Sequence, residues 1–273
     1  MHLNHLNYAI WVVTSALEVL VCALAYRNGL RRRLPFFTAY LSLMVAATGS
    51  LWVIYHVFGF GSWTAYDAAW IARAILLAAW GLAIGELCFR LLRAYPGIWA
   101  LAWRILLAVS FLFLFHAAYE SAARPYRLDT FVLALERDLE LMATGVLISL
   151  LLIGRYYTLE MDSLERSIAI GLCVYSVARV ITTAMMFQAA ETHLPGWLGY
   201  RAWLDHAQTW WNSAQGLALG GVLLLWAVAL RKPIPAVGLA AVLLPASAYR
   251  ELSPAVNFRL RTFNARLLEL LKS

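Results

Sequence analysis

Between Phe131 and Ile153 the chain reads FVLALERDLELMATGVLISLLLI, and this segment restricts the fold more than any other. Its second half is apolar enough for hydrocarbon, yet its first half holds Glu136, Arg137, Asp138 and Glu140. Ionised groups at membrane depth need neighbouring helices, charge partners or a water-filled cavity. At ~1.5 Å per residue, Leu141 to Ile153 extends only about 20 Å, short of the roughly 30 Å hydrocarbon core. The charged turn therefore belongs inside the outer part of a membrane-embedded bundle, and other helices must supply its surroundings.

Composition agrees with that frame. Of 273 residues, 63% are hydrophobic and 14% charged, and the mean hydropathy is +0.70. A soluble domain lacks the polar surface to cover so much apolar area. Long apolar runs also exclude the alternating segments of a β-barrel, and disorder is excluded on the same composition. The expected fold class is an all-α membrane protein, a seven-transmembrane-helix bundle. Its spans fall at about 8–26, 36–58, 67–89, 98–119, 131–153, 168–190 and 207–230. Residues 1–232 form this domain, and 233–273 form a cytoplasmic or interfacial tail.

The net charge of +7 is distributed between the spans rather than on one face, which excludes nucleic acid as a partner. Arg27, Arg31, Arg32, Arg33, Arg90, Arg93, Arg155, Arg166, Arg231 and Lys232 all fall in one set of loops, while Arg124, Arg127 and Arg201 fall in the other. The positive-inside rule then places the N-terminus outside and the C-terminus in the cytoplasm of a bacterial inner membrane. The opening MHLNHLN lacks the basic n-region of a cleavable signal peptide. Cys22, Cys88 and Cys173 lie toward the cytoplasmic side and are expected as free thiols. From Asn257 to Lys272, apolar and basic residues alternate as in a basic amphipathic helix, suited to anionic lipid or a cytoplasmic partner.

Several polar residues interrupt the spans. Glu18 is near the middle of the first, with Thr14 and Cys22 on the same face, and Arg179 is near the middle of the sixth. These two are expected as buried charges, paired with each other or with Asn212, Gln215, Ser176 or water; Arg104 is a third buried-charge candidate. Glu136 and Glu140 share a helix face one turn apart. They form either a paired-carboxylate site for a cation or proton, or a static tie neutralised by Arg73 or Arg137. Asp205, Gln208, Asn212 and Gln215 make a polar stripe on the seventh span. With Glu136, Glu140 and Arg73, that stripe is the candidate lining of an outer cavity.

All six histidines fall on the outer side. His56, His116 and His206 are the candidate metal or haem ligands there, although no pair has the spacing of a recognised ligand motif. Hydrolase and nucleotide-binding signatures (GxSxG, a P-loop, HExxH and CxxC) are missing. No catalytic residue and no cofactor is predicted.

The segments LPFFTAYL at Leu34 to Leu41, AYPGI at Ala94 to Ile98, and LERDLELMATGVLISLLLIGRYYTL followed by SIAIGLCVYS carry a resemblance. On these residues the chain resembles a family of seven-span bacterial integral membrane proteins with no assigned activity. The resemblance implies the topology and no reaction. A retinal protein is excluded, because the lysines Lys232 and Lys272 both follow the last span.

Together these features predict a non-enzymatic polytopic inner-membrane protein. An outward-facing polar cavity would lie between the third, fifth, sixth and seventh spans. The protein would act as a sensor or receptor-like module, or as the membrane subunit of a complex with a partner membrane protein. One alternative is a small proton- or cation-coupled transporter using Glu18, Glu140 and Arg179. The other is a haem- or metal-binding oxidoreductase subunit.

Overall fold

A computed structural model describes residues 5–59, 62–93, 95–122, 127–156, 162–192 and 197–231, with 262, 265, 266 and 269 beyond them. Among the described residues every regular element is a helix: α1 (His5–Arg27), α2 (Leu30–Arg33), α3 (Pro35–Phe58), α4 (Trp63–Leu92), α5 (Pro96–Ala122), α6 (Arg127–Tyr156), α7 (Ser163–Thr192) and α8 (Trp197–Arg231). Six of these carry stretches long and apolar enough to cross a membrane: those in α1, α3, α4, α5, α7 and α8. Helix α6, which holds the charged turn, is not among them. The amphipathic segment expected between Asn257 and Lys272 lies outside the described residues, apart from isolated positions.

Local chemistry sets the helix boundaries. Gly29 adopts φ +66° after α1, a left-handed turn that a side chain would disfavour. Pro35 starts α3, where its missing N–H costs no helical bond. Gly59, at φ +78°, ends α3 with its N–H donating to the Tyr55 carbonyl at 3.1 Å. Ser62 then caps α4, its hydroxyl accepting from the Ala65 N–H at 3.1 Å. The sequence places the start of this span at Asp67; the Ser62 cap begins the helix four residues earlier, at Trp63.

Helix contacts run α1 to α3, α3 to α4, α4 to α6, α6 to α7, α7 to α8, and α8 back to α1. Six helices thus close a ring, and α4 also touches α7 across it. Helix α5 packs outside, against α6 and α4, and none of its apolar stretch is buried. Toward the end of the bundle that carries Arg27 to Arg33, the basic end, the ring is filled. Phe37, Leu41, Leu87, Leu147, Ile168, Leu172, Leu223 and Trp226 are all fully buried there.

Trp226 stands edge-on to Phe37 with ring centroids 5.0 Å apart. Its indole lies against Gly171, where an added Cβ would collide with it. In a non-aqueous solvent such close apolar packing, rather than exclusion from water, holds helices together. Polar ties finish this end: Arg33 pairs with Asp162 at 3.0 Å and Arg90 with Glu165 at 3.0 Å. Asn28 donates to the Leu230 carbonyl. Glu86 accepts the Phe37 N–H at 2.9 Å, satisfying one of the donors that the first turn of α3 leaves without a helical partner.

Candidate functional site

Farther from the basic end the same six helices do not close on each other, and a cavity of about 290 Å³ lies between them. Every helix of the ring contributes to its lining: Glu18 from α1, Tyr40 and Thr48 from α3, Arg73 and Trp80 from α4, Glu136 from α6, Tyr175 and Arg179 from α7, and Gln215 from α8. The α3 contribution follows a helical face. Tyr40, Met44, Thr48 and Leu51 recur at steps of four, four and three residues and all line the cavity.

One wall is an ion network. Arg73 approaches Glu136 Oε2 with Nη2 at 2.6 Å and Nε at 2.8 Å. Glu136 Oε1 pairs with Arg179 Nη2, and Arg179 Nε reaches Glu140 Oε1 at 2.8 Å as an ion pair. That last approach is off a hydrogen-bond axis, since Arg179 Nε has no hydrogen-bond partner. Two guanidinium groups and two carboxylates thus form a neutral chain across α4, α6 and α7. Glu136 and Glu140 are 4% and 2% exposed, so they depend on these partners rather than on water.

Aromatic rings support the cations. Arg73 Cζ lies 5.3 Å from the Trp70 ring and 5.1 Å from the Trp211 ring, and Arg179 Cζ lies 5.4 Å from Tyr175. All three are cation–π distances.

The opposite wall has no such balance. Glu18 is 6% exposed, and its Oε2 accepts a hydrogen bond from Thr48 Oγ1 at 2.8 Å. No basic side chain among the described residues forms an ion pair with it. Glu18 and Arg179 line one cavity, but Arg179 is bound to Glu136 and Glu140 instead.

The structure distributes the other sequence candidates unevenly. Gln215 lines the cavity and donates to Thr182 Oγ1 at 3.3 Å. Asn212, one turn away on α8, is exposed and does not line it. The side chains of Asp205, Gln208 and His206 lie outside the described residues. Arg137 does not neutralise the Glu136–Glu140 face. It turns to the other side of α6 and pairs with Asp138 at 3.0 Å and Glu120 at 3.3 Å. His116 joins that cluster through Asp138 at 2.7 Å, half-exposed between α5 and α6 and apart from the cavity.

Arg104, expected as a buried charge, is exposed, because α5 lies outside the ring and turns this face away from every other helix. His56 is exposed and stacks on Trp52, with centroids 5.7 Å apart. Among the described residues no three His, Cys, Asp or Glu side chains gather as metal ligands. Cys22, Cys88 and Cys173 are free thiols.

Two aspects of the site escape a reading of the sequence. Arg179 reaches Glu136 and Glu140 although residue counting puts it deeper. Four residues of helix rise only about 6 Å, within the reach of an arginine side chain. The aromatic and hydroxyl lining from α3, α4 and α7 has a signal only in the four-residue periodicity of Tyr40, Met44 and Thr48, which is equally the periodicity of a packed core. Comparisons with known proteins add nothing to this geometry, since neither a family model, nor a curated protein, nor a solved structure matches the chain.

Proposed function

We propose that the chain is a seven-span protein of a bacterial cytoplasmic membrane that binds a small ligand in its central cavity. It would act as a sensor or receptor-like module, or as the ligand-binding membrane subunit of a complex. In this reading α6 is a span despite its charges, because Arg73 and Arg179 neutralise Glu136 and Glu140 inside the bundle. The basic end faces the cytoplasm and the cavity opens outward. The basic tail meets anionic lipid or a partner at the cytoplasmic surface.

The observation that carries the reading is the cavity itself: six helices from distant parts of the chain converge on it with a neutral ion network on one side and a lone carboxylate on the other. Its volume is at the small end of ligand pockets, which run from about 300 Å³ upward. The receptor-like reading is favoured over a transporter by Phe37, Leu172 and Trp226, which fill the ring between the cavity and the basic end.

Single-cysteine labelling in a background without Cys22, Cys88 and Cys173 tests the reading. Gln215→Cys and Thr48→Cys should react with a membrane-impermeant thiol reagent added outside, and Leu223→Cys should not. Labelling of Gln215→Cys only from the cytoplasmic side, or from neither side, would overturn it.

A further inference from the structure

The charge balance of the cavity lining specifies what it can accept. Arg73 and Arg179 are already matched by Glu136 and Glu140, so an incoming anion finds no free cation among the described lining residues. Among the described lining residues Glu18 is the charge without an ion pair, buried and bonded to one hydroxyl. A buried carboxylate without a partner is costly, and a cation that supplies the missing charge removes that cost.

A divalent metal ion is a poor fit. It needs six or more oxygen ligands, or a largely retained water shell. Besides the acidic groups, the cavity lining supplies as oxygen donors only the Thr48 hydroxyl, the Tyr40 and Tyr175 phenols and the Gln215 amide; the rest of the described lining is mainly aromatic and aliphatic, with Met44, Leu51 and Trp80 among it. Rings beside a carboxylate suit an organic ammonium ion, whose charge is attracted to aromatic faces and whose alkyl groups pack against them. The same bundle already holds a cation this way, with Arg73 between Trp70 and Trp211. Size sets a further limit: a cavity of about 290 Å³ is at the small end of ligand pockets and admits only a small ion.

We infer that the cavity takes a small organic monocation, an alkylammonium or quaternary ammonium group, held by Glu18 and Thr48 and enclosed by Tyr40, Trp80 and Tyr175. This rests on the ligand-binding reading above and names the ligand class for the same cavity.

The test uses the full-length protein in lipid nanodiscs, with choline chloride and ethylammonium chloride as probes. Sodium chloride, magnesium chloride and sodium acetate at matched ionic strength are the controls. The ammonium probes should raise the unfolding temperature saturably and bind in calorimetry, and Glu18→Gln, which keeps an acceptor for Thr48, should weaken binding at least tenfold. Glu18→Asp, which retains the charge one methylene back, should keep part of the response. Independently of any Glu18 variant, choline should slow the outside labelling of Gln215→Cys.

The inference falls if neither ammonium probe binds the wild-type protein, if Glu18→Gln binds them equally well, or if magnesium or acetate stabilises more than choline. Proton uptake with no ammonium response, which would make the proton the occupant, overturns it equally. Normal cysteine labelling without ammonium binding removes only the ligand class, whereas absent labelling removes the receptor reading itself.

Discussion

Near the basic end, Phe37, Leu87, Leu172 and Trp226 fill the helix ring with apolar contact; a few turns away on the same helices, Glu18, Arg73, Glu136 and Arg179 surround a cavity. The two regions hold together by different physics. The packed region relies on many small dispersion contacts, each non-directional, so its cohesion is spread over dozens of atoms. The cavity wall relies on a few ion pairs in fixed geometry, each carrying a large share of the local energy. Removing one charge there should therefore cost more than crowding one apolar contact.

Arg179→Leu puts that contrast to its strongest test. It leaves Glu140 without its ion-pair partner and Glu136 with only Arg73, so a loss of about 3–5 kcal/mol is expected for breaking a buried pair. Thermal unfolding in detergent or nanodiscs would measure it, and a loss below about 1 kcal/mol would show that water in the cavity already solvates these carboxylates. Restoring stability with the double variant Arg179→Leu/Glu140→Gln would sharpen the assignment to that pair.

Gly171→Leu probes the packed region at its tightest point. The new side chain must displace the Trp226 indole, and overpacking of this kind costs typically 1–3 kcal/mol. If the variant melts with the wild type, the approach of α7 to α8 is looser than the structure shows.

His116→Ala gives the smallest effect. The His116–Asp138 pair is half-exposed on the outer face of α6, and exposed pairs contribute about 0–1 kcal/mol. A loss comparable to that of Arg179→Leu would mean that α5 is anchored to the ring by charge rather than by packing, and the contrast between the two regions would no longer describe the whole bundle.

Much of this was legible in the sequence. Apolar runs separated by basic loops locate the helices, although the span read from Asp67 begins earlier, at Trp63, where Ser62 caps it. The Thr14, Glu18 and Cys22 face of α1 was readable as inward-facing, because four-residue spacing determines which side chains share a side. The presence of charges inside the bundle was equally evident. Their partners were not: Arg137 is next to Glu136 in the chain yet points away from the cavity, and Arg179, distant in sequence, points into it.

What the sequence alone determined is that Glu136 and Glu140 need partners, since hydrocarbon cannot solvate them and no substitute lies within their own helix face. Which partners they have, and that Glu18 has a hydroxyl but no ion-pair partner among the described residues, was decided by tertiary structure. Closing six helices into a ring while leaving α5 outside brings α4 and α7 together beside α6, and so places both arginines on the glutamate pair. The periodicity of each helix sets which face turns inward, but the order of helices around the ring depends on how all of them pack at once. That Glu18 is left in the cavity lining without an ion pair cannot be read from any one segment.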